Sequence, residues 1–203
     1  MAAARHIPRA QVTQNINIDS TFTPSPQAVK IAPGTEVNFN NNSGTTINIT
    51  FAPNPPGPAL FSNTPNLGPG TIDGQMPQAA NGSVNYYVNV VGGASYGPFA
   101  IQVGNGPLYI QATYTNNAGY CTPDPAVIPV AGALQMVNTD NHSYNVGWGG
   151  VANPFSPALT TVGGQSGNIV HQSIAPAGTY TYSVTKVGPM LGSGGGKIII
   201  KSA

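Results

Sequence analysis

A chain of 203 residues in which only 5% are charged, six Lys or Arg against five Asp or Glu, carries a formal net charge of +1. That balance excludes a basic track for a phosphate backbone, so no nucleic acid partner is expected. A hydrophobic share of 40% excludes the disordered class, and 26 Gly with 20 Pro, beside abundant Asn and Thr, disfavour helices and favour strands joined by structured turns.

Residues 1–10, with Arg5, His6, Ile7 and Arg9, read as an extended N-terminal arm. They are basic but lack the apolar run that completes a secretory signal. Strand signals follow, as alternating or β-branched runs bounded by Gly, Pro or Asn. The clearest are Ala28–Ile31, Glu36–Asn40 and Thr45–Phe51. Ala52–Ala80 is rich in Pro and Gly and reads as a long loop, a type of segment that is often interfacial. Ser83–Val90, Phe99–Val103 and Leu108–Thr115 come next, then Ala126–Val130, Leu134–Asn138, Ser143–Trp148, Asn168–Ile174, Thr179–Thr185 and Lys197–Lys201. No run approaches the roughly 20 apolar residues of a membrane helix, so no transmembrane segment is expected.

The later strands repeat the earlier ones. Thr23-Pro-Ser-Pro26 recurs as Thr122-Pro-Asp-Pro125, 99 positions on, and Gly34 matches Gly132 at 98. Asn41 through Phe51 matches Asn138 through Trp148 at 97, and Pro58-Ala-Leu60 matches Pro157-Ala-Leu159 at 99. Tyr86-Tyr-Val88 resembles Tyr180-Thr-Tyr182. Several weak matches in one order at near-constant offset indicate a duplication. The expected organisation is the arm at 1–10, a first unit at 11–115 and a second at 116–203.

In the second copy, a glycine turn at Gly132 leads to the apolar strand Leu134–Val137 and the Asn-rich turn Asn138–Asn141. Gly178-Thr-Tyr-Thr-Tyr182, Met190 and a closing strand Lys197–Lys201 follow. This order resembles the cupredoxin family and covers most of the copy; the first copy shares the outline less clearly. The resemblance implies two tandem Greek-key cupredoxin-like β-sandwiches. It also implies where a copper would sit, since that chemistry takes two imidazoles, a thiolate and a weak axial ligand. The family's first histidine falls at Ile47 in the first copy and Tyr144 in the second. Its cysteine falls at Val184 and its second histidine at Val187, leaving Met190 alone at the axial position. The expectation is therefore no metal and no cofactor. His142 lies two residues from Tyr144, a displacement of nearly 7 Å along a strand, and His171 lies on another segment.

No motif joins Ser, His171 and Asp140 into a catalytic set, and the five acidic residues are scattered, so no enzyme is expected. Gly192–Gly196 lacks the Lys-Ser/Thr of a phosphate loop. Cys121, the single cysteine, is read as a buried apolar residue or as one half of an intermolecular disulfide. The expected function is a structural or assembly subunit, self-associating or part of a larger extracytoplasmic complex, because so neutral a surface repels its copies weakly. The expected contacts lie in Ala2–Gln14 and Pro53–Gln78, with Arg5, His6, Ile7, Arg9, Pro55, Pro56, Leu60, Phe61 and Leu67 as candidates. Two alternatives stand beside it: a carbohydrate-binding or other ligand-binding module using Trp148 and Tyr144, and a copper or electron-transfer protein with displaced ligands.

Overall fold

The computed structural model describes residues 12–115, 118–140, 142–163, 169–188 and 193–202, and among these all regular structure is β-strand. Nine strands form the first sandwich: β1 (Thr13–Ile18), β2 (Pro24–Ser25), β3 (Ala28–Ile31), β4 (Glu36–Asn41), β5 (Ile47–Phe51), β6 (Thr64–Leu67), β7 (Ile72–Gln75), β8 (Gly82–Val90) and β9 (Ser95–Val103). Side-chain alternation sets their inner faces. Ile16 and Ile18 of β1 turn inward with Val37 and Phe39 of β4, while the intervening residues remain at least partly exposed. One sheet has the order β2-β1-β4-β7 and the other β3-β9-β8-β5-β6. The chain crosses between them after β2, β3, β4, β6 and β7, the connectivity of a Greek-key sandwich. Phe39, Ile47, Ile49, Tyr86, Val88 and Ile101 are among the residues filling the space between the sheets.

The remaining strands are β10 (Leu108–Thr115), β11 (Ala118–Thr122), β12 (Ala126–Pro129), β13 (Ala133–Asn138), β14 (Tyr144–Gly147), β15 (Phe155–Ser156), β16 (Thr161–Val162), β17 (His171–Ser173), β18 (Gly178–Lys186) and β19 (Ser193–Lys201). They reproduce the first pairing scheme. β10 runs parallel to β13 as β1 does to β4, and β12 runs parallel to β19 as β3 does to β9. β14 lies antiparallel to both β16 and β18 as β5 does to β6 and β8. A single pairing of Gly119 with Gly194 joins the two sheets at one side, where a Cβ on Gly194 would lie 1.8 Å from the Gly119 carbonyl oxygen.

Three details of the sequence alignment change, the first being that Tyr86 takes the place of Tyr182 and not of Tyr180, as the pairings of β5 with β8 and of β14 with β18 set it. The sequence places Leu108–Thr115 at the end of the first unit. In the structure this strand pairs with β11 and β13, and Leu108, Ile110 and Ala112 enter the second core. The turn after Val103 thus separates the strands of the two cores. The match of Gly34 is to Ala131, not Gly132: both adopt left-handed backbone, with φ of 79° and 55°. Each is followed by an N–H bonded back across its turn, Thr35 to Ala32 and Gly132 to Pro129.

The sandwiches meet through a small apolar contact ringed by side-chain amides. Ala28 and Ala100 from the outer face of β3 and β9 pack on Val127, with Ile199 beside them. Asn85 of β8, almost fully buried, donates from Nδ2 to the Val127 carbonyl at 2.7 Å and accepts the Val127 N–H at 3.1 Å. Gln102 accepts the Ala133 N–H at 3.1 Å, and Asn54 accepts the Tyr109 N–H at 2.8 Å. The Lys201 ammonium sits 4.8 Å from the centre of the Phe99 ring, a cation–π geometry. Replacing Asn85 with Ala strands both backbone groups of Val127 away from water. At about 1–3 kcal/mol for each unsatisfied group, Asn85→Ala should lower the free energy of urea unfolding by about 2–6 kcal/mol. The equivalent change in the second sandwich, Thr181→Ala on an exposed position, should cost no more than about 0.5 kcal/mol.

Candidate functional site

The two Asn-rich turns are built alike. Asn41 donates from Nδ2 to the carbonyls of Thr45 and Leu67, and its Oδ1 accepts the Ser43 N–H. Asn138 donates to the carbonyls of His142 and Gly163, and its Oδ1 accepts the Asp140 N–H. Each asparagine fixes the start of the following strand, so Ile47 and Tyr144 occupy equivalent places, both buried. The Tyr144 hydroxyl donates to Asp140 Oδ2, and His142 Nδ1 lies 3.1 Å from Asp140 Oδ1.

The positions aligned with copper ligands hold few donor atoms. Ile47, Val184 and Val187 carry no donor atom; Val184 is buried in the second core, whereas Val187 is 52% exposed. Met190 lies outside the described residues. His171 is buried on β17 with Nδ1 2.7 Å from the Pro157 carbonyl, well placed to donate its proton there. Among the described residues no three His, Cys, Asp or Glu side chains come together as a metal site. Cys121 is buried in the second core, so it is not presented for an intermolecular disulfide.

The aromatic face expected at Trp148 and Tyr144 is not a surface. Both are buried, and Trp148 Nε1 donates to the Leu159 carbonyl at 2.9 Å with its ring against Phe155 and Tyr182. Alternation puts them on the inner face of the sandwich, where a large ring is worth more as packing than as display. Among the assembly candidates, Leu60, Phe61 and Leu67 are likewise core residues of the first sandwich. The chain from Leu60 to Leu67 folds back over the sandwich and contributes strand β6. Pro55 and Pro56 are exposed; Arg5, His6, Ile7 and Arg9 lie outside the described residues.

Sequence reasoning missed what lies around Pro55. The segment from Ala52 to Pro58 forms a proline ridge over the junction of the sandwiches, fastened from below. The Asn54 Nδ2 donates to the Ser83 carbonyl at 2.6 Å while its Oδ1 takes the Tyr109 N–H. The Gly57 N–H donates to the Asn54 carbonyl at 2.7 Å, and Gln111 Nε2 donates to the Pro55 carbonyl at 3.0 Å. A groove of about 370 Å³ flanks the ridge, lined by Tyr87, Tyr109, Pro53, Pro55, Pro123 and Asp124 among others. Tyr87 comes from the first sandwich, Tyr109 and Asp124 from the second. The only signal in the sequence was the pair Tyr86-Tyr87, in which strand alternation must turn one ring inward and the other out.

No family model matches the chain, and no curated protein does. Among solved structures it is similar to the copper-containing nitrite reductase of Thermus scotoductus, at 12% identity over 95% of this chain and 68% of that one, with a TM-score of 0.30. It is also similar to Lac15 from a marine microbial metagenome, at 14% identity over 96% and 68% of the two chains, TM-score 0.27. A third is SGBP-B of a Bacteroides ovatus mixed-linkage glucan utilization locus, at 14% identity over 87% and 44%, TM-score 0.22.

The second core carries a pH dependence. The Tyr182 hydroxyl lies beside the Cys121 thiol without a partner of ordinary hydrogen-bond geometry. Burial raises the pKa of both groups, and of Tyr86, which occupies the position equivalent to Tyr182 in the first core. Raised folded values mean that the folded state favours the neutral forms. Their contribution to stability is complete below the ordinary values of the unfolded chain, 9.0 for the thiol and 10.0 for the phenols, and is lost as pH rises beyond them. The urea midpoint should therefore fall between about pH 9 and 11 from these groups. Cys121→Ser, whose hydroxyl does not titrate there, should remove the earliest part of that fall.

Proposed function

We propose that the chain is a non-enzymatic structural or assembly subunit, a pair of cupredoxin-like sandwiches without copper that joins copies of itself or a larger extracytoplasmic complex. The observation that carries this reading is the outer strand of the first sandwich. Among the described residues β7 pairs with β4 on one side and with no strand on the other. Ile72 at its start is 63% exposed, and Met76 just after it is 46% exposed.

Sheet edges that must stay single are usually blunted by Lys, by Pro or by a covering segment. Here no Lys or Arg occurs between Lys30 and Lys186. Asp73 is engaged within the fold by the Thr64 hydroxyl and by Gln75 Nε2. An edge with exposed apolar side chains and little charge suits addition of a strand from a partner. The hydrogen-bonded junction supports the same reading, since side-chain amides tie the two sandwiches to each other.

The low-charge, Asn- and Thr-rich surface fits a location outside the cytoplasm. Among the described residues no helix is long and apolar enough to cross a membrane.

Light scattering on size-exclusion fractions of the full chain tests the proposal. The expected result is a species at a multiple of 20.7 kDa that Ile72→Lys shifts to the single-chain mass, with unchanged circular dichroism. A monomer at every concentration, and no stable complex in crosslinked extracts of the native source, would sink it.

A further inference from the structure

We infer that the groove between Tyr87 and Tyr109 is a binding site for a neutral saccharide, one or two pyranose rings of a longer glycan. The inference is independent of the assembly reading, because none of the β7 residues lines this groove.

Each wall tyrosine rests on a glycine. A Cβ on Gly57 would lie 2.9 Å from the Tyr109 ring, and one on Gly97 would lie 2.9 Å from the Tyr87 ring. Both rings therefore sit tightly against backbone on one side, which holds them in place, while both remain half-exposed toward the groove. Fixed aromatic surface of this kind offers apolar contact at little entropic cost, because the rings are already ordered. Tyr109 is further fixed through its N–H, held by Asn54.

The polar groups on the walls decide the ligand class. Among the described residues no Lys, Arg or His lines the groove, so it holds no cation for a phosphate or carboxylate ligand. Asp124 uses Oδ1 on the Lys197 N–H, leaving Oδ2 as an acceptor. Gln111 commits its Nε2 to Pro55, leaving its amide oxygen. A pyranose presents an apolar C–H face bounded by hydroxyl donors, which matches flat rings bounded by free acceptors. The volume of about 370 Å³ lies at the small end of ligand pockets, which run from about 300 to 1,000 Å³, and suits one or two sugar rings.

Among the described residues the second sandwich holds no equivalent groove. The position equivalent to Tyr87 in the second sandwich is Ser183, counting along β18 from the pairing of Val146 with Val184. Neither sandwich alone holds all the walls.

The test is isothermal titration of the full chain with cellohexaose, xylohexaose and mannohexaose, with hexagalacturonate as an acidic glycan. At least one neutral oligosaccharide should bind, and the acidic one should not. Tyr87→Ala and Tyr109→Ala should each weaken binding by about tenfold or more, with Tyr87→Phe retaining most of it. Ile72→Lys should bind as the parent does, which separates this site from the assembly surface. Should an alanine variant lose its fold by circular dichroism, amide shifts in the parent decide: saccharide-induced changes must centre on Tyr87, Tyr109 and Asp124. No binding to any neutral glycan at millimolar concentration would overturn the proposal. So would binding indifferent to both alanine variants, or a groove that takes a proline-rich peptide and no sugar.

Discussion

Two hydrogen bonds from one buried side chain hold the architecture together at its narrowest point. The carboxamide of Asn85 meets the N–H and carbonyl of Val127 as a second peptide group would, so β12 is paired on that side without a neighbouring strand. The apolar contact there involves two alanines, a valine and part of an isoleucine, too little to fix an orientation by burial alone. Amides supply direction where small side chains cannot. Asn54 and Gln102 extend the same device to Tyr109 and Ala133. The placement of the proline ridge follows, because Asn54 belongs to the ridge and grips the second sandwich. The groove beside it has a definite width for the same reason.

Much of the fold was legible in the sequence because alternation is a local signal. Glu36–Asn40 and Ser83–Val90 each put apolar residues at every second place or in β-branched runs, and both are strands. The duplication was legible because its matches recur in order, and the strand pairings repeat accordingly. What escaped were strands whose side chains speak weakly. β1 has only Ile16 and Ile18 among polar residues, although they are fully buried. β6 and β7 lie in the stretch from Ala52 to Ala80, where Pro65 and Gly74 argue against a strand; edge strands tolerate such residues because one side of the ladder is free.

The candidate site was hardly legible at all, for a different reason. Trp148 and Tyr144 stood out by size, yet size is what a core uses, and their inward phase was already visible in the strand pattern. The groove depends on Tyr87, Tyr109 and Asp124, which come from the middle of β8, the start of β10 and the connection before β12, in two sandwiches. Nothing in the spacing of those residues announces that they meet. Asn85 and Gln102 were invisible for the same reason, since a polar residue on an outer strand face reads as solvated until something is placed upon it.

The sandwiches meet through equivalent strands, β3 and β9 against β12 and β19, yet Asn85 and Gln102 belong to the first sandwich. On the second sandwich the places of Asn85 and Gln102 are taken by Thr181 and Ile199, which have no carboxamide to offer. Ile199 instead packs into the apolar part of the same contact, so one half of the pair grips and the other is gripped. The duplication thus keeps one fold in both halves while giving them opposite roles at the face they share.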